Sequence, residues 1–80
     1  MSDEKNEVNE DDLSLLQKKT DAYCVLGVRV HITLKTGVWK RGIVKEVKAD
    51  FFLLDETLEG MMPIFFQEIH AIEKFRKDNQ

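Results

Sequence analysis

The sequence holds a single cysteine, Cys24, so no disulfide can form within the chain, and a reducing, cytoplasmic setting is expected. It holds no apolar run near the roughly 18 residues a membrane span needs. Its first residues, MSDEKNEVNEDD, are acidic and polar, unlike a secretory or mitochondrial signal. It contains no HExxH, CxxC, GxSxG or P-loop pattern and no internal repeat. Gly37 and Gly42 lie in a strand-rich stretch with no helix after them, so they are not a phosphate loop. The two histidines, His31 and His70, share no metal-ligand spacing with each other or with Cys24. Enzymatic chemistry needs a nucleophile with its base, a paired acid and base, or a metal cluster. None can be assembled from these residues, so no enzyme, metal site or cofactor is expected. With 80 residues the chain makes one small domain, too short for a TIM barrel or a two-domain enzyme.

What is present is a charged, moderately apolar chain with an uneven charge distribution. Hydrophobic residues make up 42% and charged residues 34%, which describes a soluble globular domain. Residues 1–12 carry six acids (Asp3, Glu4, Glu7, Glu10, Asp11, Asp12) against one base, Lys5. Residues 13–80 carry eleven bases and nine acids, so an acidic arm is attached to a slightly basic body. Composition reads residues 1–10 as a solvated, disordered tail, or as an anionic arm that competes with RNA for the basic face.

From Asp11 to about Tyr23 the pattern predicts a helix. Leu13, Leu16 and Tyr23 fall on one face, Asp11 and Asp12 open it, and Lys18 and Lys19 follow where the helix dipole favours cations. Asn9 or Asp11 is the expected N-cap, and Gly27 the stop signal. Then Val28, Val30, Ile32 and Leu34 alternate with Arg29, His31, Thr33 and Lys35, the period of a half-buried strand. Lys35-Thr36-Gly37 is a turn. A second strand spans about Val38 to Lys48, with Gly42 marking a bend. Phe51 to Asp55 is a third strand, Met61 to Phe66 a fourth, and Ile69 to Lys74 a fifth after a one-turn break at Gln67-Glu68. Pro63 places the fourth strand at a sheet edge or an irregular point. A helix and five short strands in this order predict a mainly β fold, a strongly bent antiparallel barrel of SH3-like or OB type.

Two clusters carry functional meaning. Trp39, Lys40 and Arg41 adjoin, with Lys45 and Lys48 further along. Such a set stacks bases and holds phosphates, or else Trp39 is core and the lysines are an ordinary wet face. Met61, Met62, Ile64, Phe65 and Phe66 make a strand apolar on both sides. Either it forms a subunit interface by strand addition, or the N-terminal helix covers it. Cys24 reads as a small buried hydrophobe, and both histidines as solvent-facing or edge residues.

The run VRVHITLKTGVWKRGIVKEV resembles the first motif of the Sm-like family: an alternating strand (Val30, Ile32, Leu34), a turn glycine (Gly37), a second glycine (Gly42) and an apolar residue (Val44). PIFFQEIHAIEKF resembles the second motif through Ile64, Ile69 and Ile72. The resemblance spans about residues 11–75, leaving 76–80 as a C-terminal tail. It implies an N-terminal α-helix followed by a five-stranded, strongly bent antiparallel Sm-like barrel. It also implies a homo-oligomeric ring, in which the fourth strand of one subunit pairs with the fifth of the next, and single-stranded RNA bound around the pore. The interface residues it implies are Met61, Met62, Ile64, Phe65, Phe66, Ile69 and Ile72. Where family members that bind uridine carry asparagine, the nearest residues are Asp50, Phe51 and Phe52. Where the second motif carries arginine and glycine, Phe65 and Phe66 stand. Lys40 takes the place of an aromatic before the second glycine, and the tyrosine-lysine-histidine run of the bacterial form is absent. The RNA contacts expected in place of the pocket are Phe51 or Phe52 for stacking, one of them core, with Lys35, Lys40, Arg41 and Lys48 for phosphates. The alternative partner is a protein, bound by an oligomeric scaffold with no RNA role. No membrane partner is expected.

Overall fold

The computed structural model of the chain describes residues 3–75, with side chains from residue 13 onward. The expected tail at 76–80 and the side chains of the acidic arm lie outside the described residues. Helix α1 runs Asp3–Leu26, followed by strands β1 (Arg29–Leu34), β2 (Trp39–Val47), β3 (Phe51–Glu56) and β4 (Gly60–Phe65), the 3-10 turn η1 (Phe66–Glu68) and strand β5 (Ile69–Lys74). All five expected strands are present at nearly the expected bounds, and the break at Gln67-Glu68 is η1.

The helix begins at Asp3 instead of Asp11, so it takes in most of the acidic segment. Neither glycine nor proline interrupts residues 3–26, and the run of Asp and Glu sits at the positive end of the helix dipole. Apolar periodicity therefore marks where the helix packs, and not where it starts. Asn9 and Asp11, the expected N-caps, are interior to it. Gly27 ends the helix as expected, at φ +69°, with its N–H donating to Tyr23 O at 2.9 Å.

The strands form one antiparallel sheet in the order β4-β3-β2-β1-β5, so β4 and β5 are its two edges. Gly42 in β2 passes so close to β3 that a Cβ there would overlap the Asp55 carbonyl oxygen. The bend that glycine allows, and register shifts at Thr33/Leu34 and Val44/Glu46, curl the sheet around one core. That core is Val30, Ile32, Val44, Phe52, Leu54, Ile64, Phe66, Ile69 and Ile72. Phe52 is wholly buried and meets the Phe66 ring at 5.4 Å between centroids.

Helix α1 covers one side of this core and packs against β2, β5 and η1. Leu16, Tyr23 and Cys24 lie on the core. With Thr20 they fall at i, i+4, i+7 and i+8, a single helical stripe. Thr20 is fully buried, and its hydroxyl donates to Leu16 O at 2.7 Å, so the stripe carries no unmet polar group there. Gln17 Nε2 donates to Ala49 O at 2.6 Å and pins the helix to the β2–β3 turn. The turn η1 is held at both ends: Phe66 N–H donates to Asp50 O at 3.0 Å, and Glu68 O accepts from Lys35 N–H at 2.9 Å.

Candidate functional site

The outer face of the sheet carries the residues that the core does not use. Alternation along β1 turns His31 and Thr33 outward while Val30 and Ile32 turn in, and the same alternation along β2 turns Trp39 and Arg41 outward. The register sets Thr33 opposite Trp39 and His31 opposite Arg41. His31 and Trp39 are therefore diagonal cross-strand neighbours, and their rings stack at 5.0 Å with 18° between planes. The Arg41 guanidinium lies 5.6 Å from the Trp39 ring centre and 4.9 Å from that of Phe75, so two aromatic faces hold one cation.

Trp39 is 52% exposed and does not belong to the core. The Arg41 Nε is buried with no hydrogen-bond partner. Among the described residues no carboxylate lies within ion-pair distance of Arg41. A flat aromatic deck and a cation with no salt-bridge partner among the described residues thus share one surface. Beside it a cleft of about 620 Å³ runs between α1 and the β1–β5 edge, with Lys19, Tyr23, His31, Lys74 and Phe75 among its walls.

The other cations expected to hold phosphates do not join this deck. Lys40 and Arg41 are adjacent in sequence and so point to opposite faces of the sheet. Lys40 is half-buried and pairs with Glu59 at 3.7 Å. Lys48 pairs with Glu46 at 2.8 Å beyond the far end of β2. Lys35 is exposed in the β1–β2 turn. Glu56 lies beside this region: its carboxylate accepts N–H bonds from Glu59 at 2.6 Å and Leu58 at 2.8 Å. The Glu59 bond is the main cause holding its pKa below the ordinary value, with slight burial opposing and Leu58, Lys40 and Arg41 assisting.

Phe51 is half-buried and leans on Phe65, with ring centres 5.2 Å apart, while Phe52 is the core member of the pair. Of the residues expected at a subunit interface, Ile64, Phe66, Ile69 and Ile72 are spent on the chain's own core and Met62 packs against it. The first four side chains are buried within the single chain, and Met62 is half-buried. Only Met61 and Phe65 stand exposed. The composition of the strand could not separate its two faces, because both are apolar.

The outer edge of β4 is legible in its hydrogen bonding. Asp50 and Phe66 form a bonded pair, so alternation makes Phe52/Ile64 and Leu54/Met62 bonded pairs and leaves Leu53 opposite Pro63 unbonded. The Pro63 nitrogen therefore faces away from β3, at the free edge, where its missing N–H costs the sheet nothing.

His31 and Phe75 were not singled out as site residues by the sequence, although β alternation contains the signal. Trp39 and Arg41 share a parity, and His31 lies on the polar parity of the strand they pair with. His70 is exposed, and Cys24 is half-buried against the core as expected. Among the described residues no group of three His, Cys, Asp or Glu side chains comes together as a metal site. No helix among them is long and apolar enough to cross a membrane.

No protein-family model matches the chain, and no curated protein does. Among solved structures it is similar to the pleiotropic translational regulator Hfq, with a TM-score of 0.65 and 14% identity over 72% of this chain and 95% of that one. It is similar also to YaeO bound to magnesium, from Vibrio cholerae O395, with a TM-score of 0.64 and 14% identity over 76% of this chain and 84% of that one. At that identity the likeness is one of fold: the chain carries a divergent Sm-like fold, an N-terminal helix on a five-stranded antiparallel barrel.

Proposed function

We propose that the chain is an Sm-like, ring-forming protein that binds single-stranded RNA by stacking bases and holding phosphates, without the usual uridine pocket. One observation carries the reading: an exposed Trp39 stacked on His31, with Arg41 clasped beside it. Ring faces accept any base, and an adjacent cation supplies the salt-sensitive backbone contact. Trp39 and His31 take over the stacking role first assigned to Phe51, and Arg41 is the foremost of the expected cations. Lys35, Lys40 and Lys48 add positive potential at longer range. The likeness to a translational regulator supports an RNA partner. Assembly is supported by the two free sheet edges and by Met61 and Phe65, exposed along one of them.

Fluorescence anisotropy with labelled adenine-rich and uridine-rich oligomers tests this. Saturable binding is expected to weaken with salt, with a log–log slope of roughly −0.7 for each phosphate neutralised. Absence of binding at low salt refutes it.

A second reading, a protein-binding scaffold, draws on a different surface. A groove of about 790 Å³ between α1 and the η1–β5 segment combines Leu13, Leu15 and Phe66 with Lys19, Lys35 and His70, and among the described residues no carboxylate lines it. That chemistry suits an acidic amphipathic segment of a partner. Protein that purifies free of nucleic acid and binds none favours this reading.

A further inference from the structure

Resting on the RNA reading above, we infer that Arg41 is the phosphate anchor of the site. The unit it selects is a nucleotide whose base lies on Trp39 and whose phosphate meets the Arg41 guanidinium. Three features of the arrangement converge on this.

First, Arg41 is preorganised. Its guanidinium sits between the rings of Trp39 and Phe75, at 5.6 and 4.9 Å, on a strand in the middle of the sheet. Little side-chain freedom remains to be lost when an anion arrives. Second, Nε is buried without an acceptor, so the terminal amino groups are the donors left to face a ligand. A phosphate oxygen pair matches two such donors side by side. Third, the charge has no salt-bridge partner among the described residues, and Glu56 feels it only at longer range. Lys40 and Lys48 each have a carboxylate partner, whereas among the described residues Arg41 has none within ion-pair distance.

The stacking deck is the other half of the site. His31 backs Trp39 with nearly parallel rings, so one indole face is held and the residue stays half exposed for a base. The neighbouring cleft, flanked by Lys19 and Lys74 against Glu73, the one carboxylate among the described residues that line it, continues the path for the next phosphate. A strand would thus cross the β1–β2–β5 face and leave β4 free.

Trp39 is the sole tryptophan, so its emission reports on the deck directly. The full chain is titrated with an adenylate octamer, adenosine 5′-monophosphate, adenosine and inorganic phosphate, in parallel with anisotropy of the labelled octamer. The octamer is expected to quench Trp39 saturably, and the monophosphate to quench at lower concentration than adenosine. Phosphate alone is expected to leave emission nearly unchanged. Arg41→Lys keeps the charge and loses the fork, and is expected to lower octamer affinity about tenfold or more. Phe75→Leu removes one wall of the clasp outside the core and is expected to lower affinity severalfold, which serves if the Arg41 variant does not fold. Octamer binding seen by anisotropy without any change in Trp39 emission overturns the inference and leaves the RNA reading standing, as does unchanged affinity in either variant. Absence of octamer binding by both readouts overturns both.

Discussion

Gly42→Ala should damage the fold far more than Gly37→Ala, although both glycines belong to the same sequence motif. At Gly42 a Cβ would overlap the Asp55 carbonyl oxygen and stand 2.8 Å from its carbonyl carbon and 2.9 Å from the Glu56 Cα. All three atoms are backbone of the paired strand β3, so no side chain can swing aside. Relief requires β2 and β3 to separate beside Val44 and Leu54, both in the core. With no side chain able to yield, the cost falls at the upper end of the usual overpacking range of about 1–3 kcal/mol. A domain of this length has a total stability of roughly 4–12 kcal/mol. One kcal/mol shifts Tm by about 4–8 °C at this size, so Gly42→Ala should melt at least about 12 °C lower. Gly37 has φ +95° with nothing within 4 Å of a Cβ, so Gly37→Ala meets only backbone strain, about 1–2 kcal/mol. Far-UV circular dichroism melts of the two variants decide the matter. A Gly42→Ala protein melting within about 4 °C of the parent, a shift of about 1 kcal/mol, would refute the close-approach argument.

Three further outcomes follow from other parts of the chain. Glu56→Ala removes the acceptor for the Leu58 and Glu59 N–H groups and should lower Tm at neutral pH. Because the folded pKa of Glu56 is depressed, its contribution is present above its ordinary value of 4.5 and lost as pH falls below it, so parent and variant should converge in acid melts. Pro63→Ala restores an N–H on the outward edge of β4 and should strengthen self-association by strand pairing; an unchanged sedimentation profile across concentration would remove β4 from the assembly surface. Deleting residues 1–10 should tighten RNA binding if the acidic arm competes for the basic face, and equal affinity in anisotropy would leave the arm with no masking role.

Much of this fold was legible because its sequence keeps clear periods. Val30 and Ile32 against His31 and Thr33 gave β1 its two faces. Gly42 announced the bend, and Pro63 the edge. The misplaced helix start has a plain cause: residues 3–10 carry helix-compatible residues with no apolar stripe, so a reading built on apolar periodicity could not see them. Core and outward residues in β4 and β5 look alike in the sequence for a related reason. Ile64 and Phe66 are as apolar as Met61 and Phe65, and only the pairing with β3 assigns the first two to the interior. The candidate site was half legible. The basic-aromatic run was visible, but grouping Lys40 with Arg41 ignored that neighbours on a strand face opposite ways. The contribution of Phe75, which comes from the end of β5, depends on long-range pairing that no local pattern records.

Binding of single-stranded nucleic acid on the outer face of β1, β2 and β5 can be read residue by residue. The most direct test is a 15N–1H correlation spectrum of the 9.3 kDa chain, titrated with an adenine-rich RNA octamer. The Trp39 indole N–H, the Arg41 side chain and the amides of His31, Thr33 and Phe75 are expected to shift together and saturably, with little change along β4. Shifts confined to the groove between α1 and η1, or to β4, with the Trp39 indole unmoved, would contradict binding on that face.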